Sequence, residues 1–136
     1  MPSVKGETQV LQVRSSTDVV LVRQAVRNLA TALGFSLVDQ TKVVTAASEL
    51  ARNTLEHGGG GTASLQQLEE GNRKALRMIF EDKGPGISDL KLAMTDGYTT
   101  ANGMGLGLSG SKRLVNEFDL WSQPGQGTRV TVTKWK

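Results

Sequence analysis

Glu49 and Asn53 stand four residues apart in the stretch SELARNTLEH. On a helix, residues at i and i+4 point the same way. A carboxylate beside a neutral oxygen ligand suits a general base next to a magnesium ligand. Asn53 is also a poor mid-helix choice, because its amide competes for backbone hydrogen bonds. Glu49, Arg52, Asn53 and Glu56 together form a polar stripe, which is equally the pattern of a solvated helix face. Asp82 closes an apolar run and precedes Gly84-Pro85-Gly86. That reads either as a strand-ending turn or as a carboxylate aimed at a ligand lying against glycine backbone. Gly103, Gly105, Gly107 and Gly110 then crowd the start of an apolar, basic run, NGMGLGLSGSKRLV. Glycine weakens regular structure. Glycines at a helix start therefore point to an anion held close to backbone N–H groups. A flexible surface loop has the same composition.

Gly105 to Gly110 also satisfies G-x-G-x-x-G, but the dinucleotide-binding context is missing. No strand is legible just before it, and Gly125 to Val130 holds no acid. The Walker phosphate loop and the signatures of the common protein-kinase fold are absent as well.

These groups need elements to hold them. Val19, Val22, Val26, Leu29 and Leu33 recur at helical spacing in a first helix that Gly34 stops. A second helix runs over SLVDQTKVVTAASELARNTLEHG. Its apolar face carries Val43, Val44, Ala47, Leu50, Ala51 and Leu55, with Ser36 and Asp39 at capping-box spacing. Thr8 to Arg14 reads as a first strand. TASLQQLEE and RKALRMIFED form a hairpin about Gly71-Asn72. ISDLKLAMTDG suits a short helix and LSGSKRLVNEF a third main one. DLWSQ and GTRVTVTKW pair across Pro124 to Gly127, with Val130 and Val132 facing one way and Thr131 and Thr133 the other. Strands at both ends with helices between predict an α+β two-layer sandwich: a mixed, mostly antiparallel sheet covered on one face by helices.

The length of 136 residues predicts one domain, residues 1–136. With no cysteine and a single histidine, His57, disulfides, thiolate zinc sites and a cysteine nucleophile are excluded. No apolar run approaches membrane-spanning length and no signal peptide is legible, so the expected location is cytoplasmic with no membrane partner. The net charge of +3 is scattered without aromatic interleaving, so no nucleic-acid partner is expected.

The order of the motifs says more than each does alone. A helix with E-x-x-x-N, a strand ending in D-x-G-x-G, and G-x-G-x-G-L opening a helix resembles the GHKL (Bergerat-fold) ATPase and kinase superfamily. SELARNTLEH is similar to its N box, EDKGPGI to its G1 box and GMGLGLSGSKRLVNEF to its G2 box. Within that superfamily the chain resembles the small anti-sigma regulatory serine/threonine kinases, most of all the RsbT type. ELARN, DGYTT, GLSGSKRL and the C-terminal KW carry that likeness.

The resemblance implies ATP/ADP and Mg²⁺ as cofactors and gives each residue a role. Asn53 binds the Mg²⁺ that bridges the phosphates. Glu49 is the catalytic base for the acceptor hydroxyl. Asp82 accepts from the adenine amino group. Gly84, Gly86 and Ile87 lie along the base. Gly103, Met104, Gly105, Leu106, Gly107 and Leu108 form the phosphate lid and helix mouth, and Arg52 meets phosphate or an acidic partner. Lys83 departs from the pattern, since an uncharged side chain is common there. The implied partners are a STAS-domain antagonist, both substrate and sequestering protein, and a PP2C-type phosphatase or other output protein. The alternative is a docking module, an anti-sigma factor or phosphatase activator, whose surface ATP merely shapes.

Overall fold

Serine caps begin both long helices. At α1 (Ser16–Ala32), Ser15 Oγ accepts from Asp18 N–H at 3.2 Å, and the Asp18 carboxylate accepts from Arg14 N–H at 2.9 Å. At α2 (Leu37–Glu56), Ser36 Oγ accepts from Asp39 N–H at 3.1 Å. Gly34, at φ 82°, ends the first helix in a left-handed turn, after which Phe35 N–H reaches back to the Ala30 carbonyl. This computed structural model describes residues 2–87, 89–94 and 107–136.

The remaining elements are β1 (Ser3–Val13), β2 (Gly61–Glu70), β3 (Arg73–Asp82), α3 (Leu90–Ala93), α4 (Leu108–Arg113), β4 (Glu117–Gln123) and β5 (Gly127–Trp135). They form a five-stranded sheet in the order β1-β2-β3-β5-β4. Every pairing among the described residues is antiparallel. The helices lie on one face, giving the expected two-layer sandwich. The predicted apolar stripes meet there. Val22, Val26, Val43 and Leu50 from the helices pack with Leu65, Leu76, Met78, Phe80 and Val132 from the sheet, all essentially inaccessible to water.

Three boundaries differ from the sequence reading. Strand β1 starts at Ser3 rather than Thr8, because its register shifts between Lys5 and Gln9, with Gly6 at φ 73°. A glycine bulge interrupts the alternation that marks a strand. Helix α4 stops at Arg113, since Glu117 and Phe118 join β4 opposite Thr133 and Val132. Thr133 faces away from the helices as expected, yet only 4% of it is exposed, with Arg77 and Glu117 as its register neighbours.

The register sets the site. Asp82 ends β3 opposite Gly61 on one side and Thr128 on the other. Helix α2 crosses above and ends at His57, and α4 packs against α2.

Candidate active site

A small cavity lies between α2, the ends of β3 and β5, and the start of α4. Leu50, Asn53, Thr54, His57, Phe80, Asp82, Ile87, Leu108, Thr128 and Val130 line it. Four of these were expected from sequence: Asn53, Asp82, Ile87 and Leu108. They come from three separated motifs, and the fold brings them around one space. Its volume is about 20 Å³, room for roughly one water molecule.

Asp82 is held by close backbone packing. Its Oδ1 accepts from Gly84 N–H at 2.9 Å. A Cβ on Gly58 would collide with the Asp82 side chain, and a Cβ on Gly84 would meet the Gly58 backbone at 2.7 Å. Two segments, the end of α2 at Gly58 and the turn from Asp82 to Gly84, therefore touch where only glycine fits. Burial raises the Asp82 carboxyl above its ordinary 3.8, opposed by the Gly84 N–H, by His57 and by the Thr128 N–H. Lys83, the departure noted above, is exposed and lines an open groove with Arg14, Gly60 and Glu81 on the other side of the strand end. It does not line the cavity.

The turn after Asp82 is tied down on both sides. Gly86, at φ 76°, lies so close to the Gln123 carbonyl that a Cβ would strike it. Pro85 O accepts from Gly125 N–H at 2.8 Å, and Ile87 N–H donates to Ser122 Oγ at 2.8 Å. The Gly86 carbonyl lies 3.3 Å from His57 Nε2, a contact that places the histidine proton on Nε2. Gly84 and Gly86 thus act as backbone of the turn that presents Ile87, outside the cavity wall itself.

Glu49 does not line this cavity. It pairs with Arg52 at 3.6 Å, one turn along the same face, with both side chains well exposed. Gly107 is the N-cap of α4 at φ 60°, and a Cβ there would strike the Glu49 carboxylate. The expected base and the expected phosphate-side glycine therefore meet. Arg52 lies beside Glu49 and away from Asp82. Gly103, Met104, Gly105 and Leu106 lie outside the described residues.

Sequence reasoning passed over His57 and Thr128. His57 follows Asn53 by four residues, the same helical spacing that links Glu49 to Asn53, and this was a usable signal. Thr128 had none: it is one threonine among several on an alternating strand, and only the β3–β5 register sets it beside Asp82. Among the described residues no group of three or more His, Cys, Asp or Glu could hold a metal.

Residues 38–136 match the family described as histidine kinase-, DNA gyrase B-, and HSP90-like ATPase. The serine/threonine-protein kinase RsbT of Bacillus subtilis is 44% identical over 96% of this chain and 98% of its own. The anti-sigma F factor of Clostridium novyi is 33% identical over 88% of this chain and 87% of its own. A crystal structure of the RsbU and RsbW domains of a Mycobacterium tuberculosis protein superposes with a TM-score of 0.63 at 20% identity. The likeness covers 96% of this chain and 33% of that one, and shows the shared fold.

Proposed function

The chain belongs to the histidine kinase-, DNA gyrase B- and HSP90-like ATPases and, within them, to the RsbT-type serine/threonine kinases of sigma-factor regulation, and from that premise we propose how it works. It is a single-domain switch kinase of the cytoplasm that uses Mg-ATP to phosphorylate a STAS-domain antagonist, which also sequesters it. Released kinase then binds an output protein such as a PP2C-type phosphatase. Among the described residues no helix is long and apolar enough to cross a membrane. The observation that carries the reading is the convergence of Asn53, Asp82, Ile87 and Leu108 on one cavity.

The purine enters between α2 and the strand ends, and its amino group donates to Asp82. To admit a purine the water-sized cavity has to open, and Ile87 and Leu108 are the walls that stand on a turn and on a short helix, while the other walls belong to long elements. A Cβ on Gly58, Gly84 or Gly107 would strike Asp82, the Gly58 backbone or Glu49 respectively, so glycine at these positions lets the parts of the site pack together. Gly107 and Leu108 form the phosphate-side mouth.

The residues present fit Mg²⁺. Asn53 is half-buried on the cavity wall and offers a neutral amide oxygen beside the phosphate mouth. When bound, the ion neutralises phosphate charge. Glu49 lies at the mouth, next to Gly107, and takes the acceptor hydroxyl proton. Arg52 restrains that carboxylate and faces phosphate or the acceptor's acidic surface.

The test is phosphoryl transfer from radiolabelled ATP to a purified STAS-domain partner, with wild type beside Glu49→Gln. Transfer by wild type and its loss in the mutant, with ATP still bound, supports the reading. Equal transfer by both sinks the assignment of Glu49.

A further inference from the structure

Ser122, on edge strand β4, belongs to none of the three sequence boxes. Its hydroxyl nevertheless makes three short contacts. It accepts from Ile87 N–H at 2.8 Å, reaches the Gly127 carbonyl at 2.9 Å, and lies 2.8 Å from Thr128 Oγ1. A serine hydroxyl has one proton and two lone pairs. A carbonyl cannot donate and an N–H cannot accept. All three contacts are hydrogen bonds in only one assignment: Ser122 donates to Gly127 and accepts from both Ile87 N–H and Thr128 O–H.

That assignment spends the Thr128 proton. Thr128 lines the cavity and is 7% exposed. Its oxygen then offers only lone pairs to anything else, beside a carboxylate that is also an acceptor. We infer that Ser122 is a positioning residue for purine selectivity: by holding Thr128 as an acceptor next to Asp82, it makes the cavity favour a 6-amino purine over a 6-oxo one. An amino group brings two donors to this pair of acceptors. An oxo group brings lone pairs, and acceptors left facing acceptors in a buried site are costly. The same hydroxyl pins Ile87 at the cavity wall, so one side chain sets both the wall and its polarity.

This inference rests on the nucleotide reading above, and the experiment separates the two. Titration calorimetry measures ATP and inosine triphosphate on wild type, Ser122→Ala, Ser122→Thr, Thr128→Val and the Ser122→Ala/Thr128→Val double variant. Circular dichroism melts confirm that each is folded. Wild type should prefer ATP. Ser122→Ala frees the Thr128 proton to point at an oxo group, and the preference should fall roughly three- to tenfold, the worth of about one hydrogen bond. Ser122→Thr keeps the hydroxyl on a strand-compatible side chain and should keep the preference. With the threonine hydroxyl gone, adding Ser122→Ala should change the ratio no further.

A Ser122→Ala protein that loses both nucleotides in parallel, or keeps the wild-type ratio, overturns the inference alone. So does a ratio that still changes in the Thr128→Val background. Wild-type protein that binds neither nucleotide overturns the nucleotide reading, and this inference with it.

Discussion

The Asp82 carboxyl packs directly on the backbone of Gly58, two residues past the end of α2. The helix that carries Asn53 and the strand that carries Asp82 therefore meet at a point with no room for a methyl group.

Gly58→Ala should displace Asp82 rather than strain its own backbone, since Gly58 has no positive φ. Overpacking of this kind costs about 1–3 kcal/mol. Part of that should appear as a lower melting temperature and the rest as weaker ATP binding. Wild-type affinity in a Gly58→Ala protein, measured by calorimetry, would show that this contact does not fix the carboxylate.

That contact also shows where the sequence was readable and where it was not. The E-x-x-x-N spacing placed Glu49 and Asn53 on one helix face because helical period is local. Asp82 was legible because an apolar run ends at it. The Gly71 hairpin and the β5 alternation were local in the same way. Gly58 was taken only as a helix stop, since a close approach to a residue 24 positions later leaves no mark in the chain. Thr128 and Ser122 became visible only through strand register. Residues near Gly6 lost their strand signature to the bulge, and the start of β4 was absorbed into an apolar helical pattern.

Asp82→Asn should separate stability from binding. Burial raises this carboxyl above 3.8 in the folded chain, so the folded state holds the proton to higher pH than the unfolded state does. The group's contribution to stability is therefore largest below pH 3.8 and declines as pH rises through the folded value. An amide removes that decline. Nucleotide-free Asp82→Asn should be at least as stable as wild type at neutral pH, by denaturant melts. Its ATP affinity should fall about ten- to hundredfold, because a hydrogen bond to a charged group contributes about 1.5–3 kcal/mol. Wild-type affinity should itself weaken as acid protonates Asp82. Unchanged calorimetric affinity in the mutant would remove Asp82 from the site.

Asn53→Ala tests the metal. Asn53 lies on the rim of the core, half-buried, so its loss should leave the fold intact. ATP binding in wild type should strengthen with Mg²⁺ and lose that dependence in the mutant, while binding without Mg²⁺ changes little. A mutant whose affinity still rises with Mg²⁺ as in wild type would place the ion elsewhere.

Glu49→Gln separates chemistry from docking. The Glu49 side chain is solvent-accessible, paired with Arg52 and set against Gly107, so a neutral isostere should cost little stability. The amide keeps the shape and removes the basicity. Positioned general bases contribute about 10²–10⁴-fold in rate. The mutant should bind ATP and its protein partner nearly as wild type does, yet transfer phosphate that much more slowly. In a switch kinase, phosphorylation releases the sequestering partner, so Glu49→Gln should hold the complex together in the presence of ATP. A docking module needs no transfer, and the mutation should leave its output unchanged. Partner release and phosphorylation are to be followed on the same mutant in parallel. Full release by Glu49→Gln protein with ATP, without transfer, would defeat the reading that phosphorylation releases the partner and leave docking as the working activity.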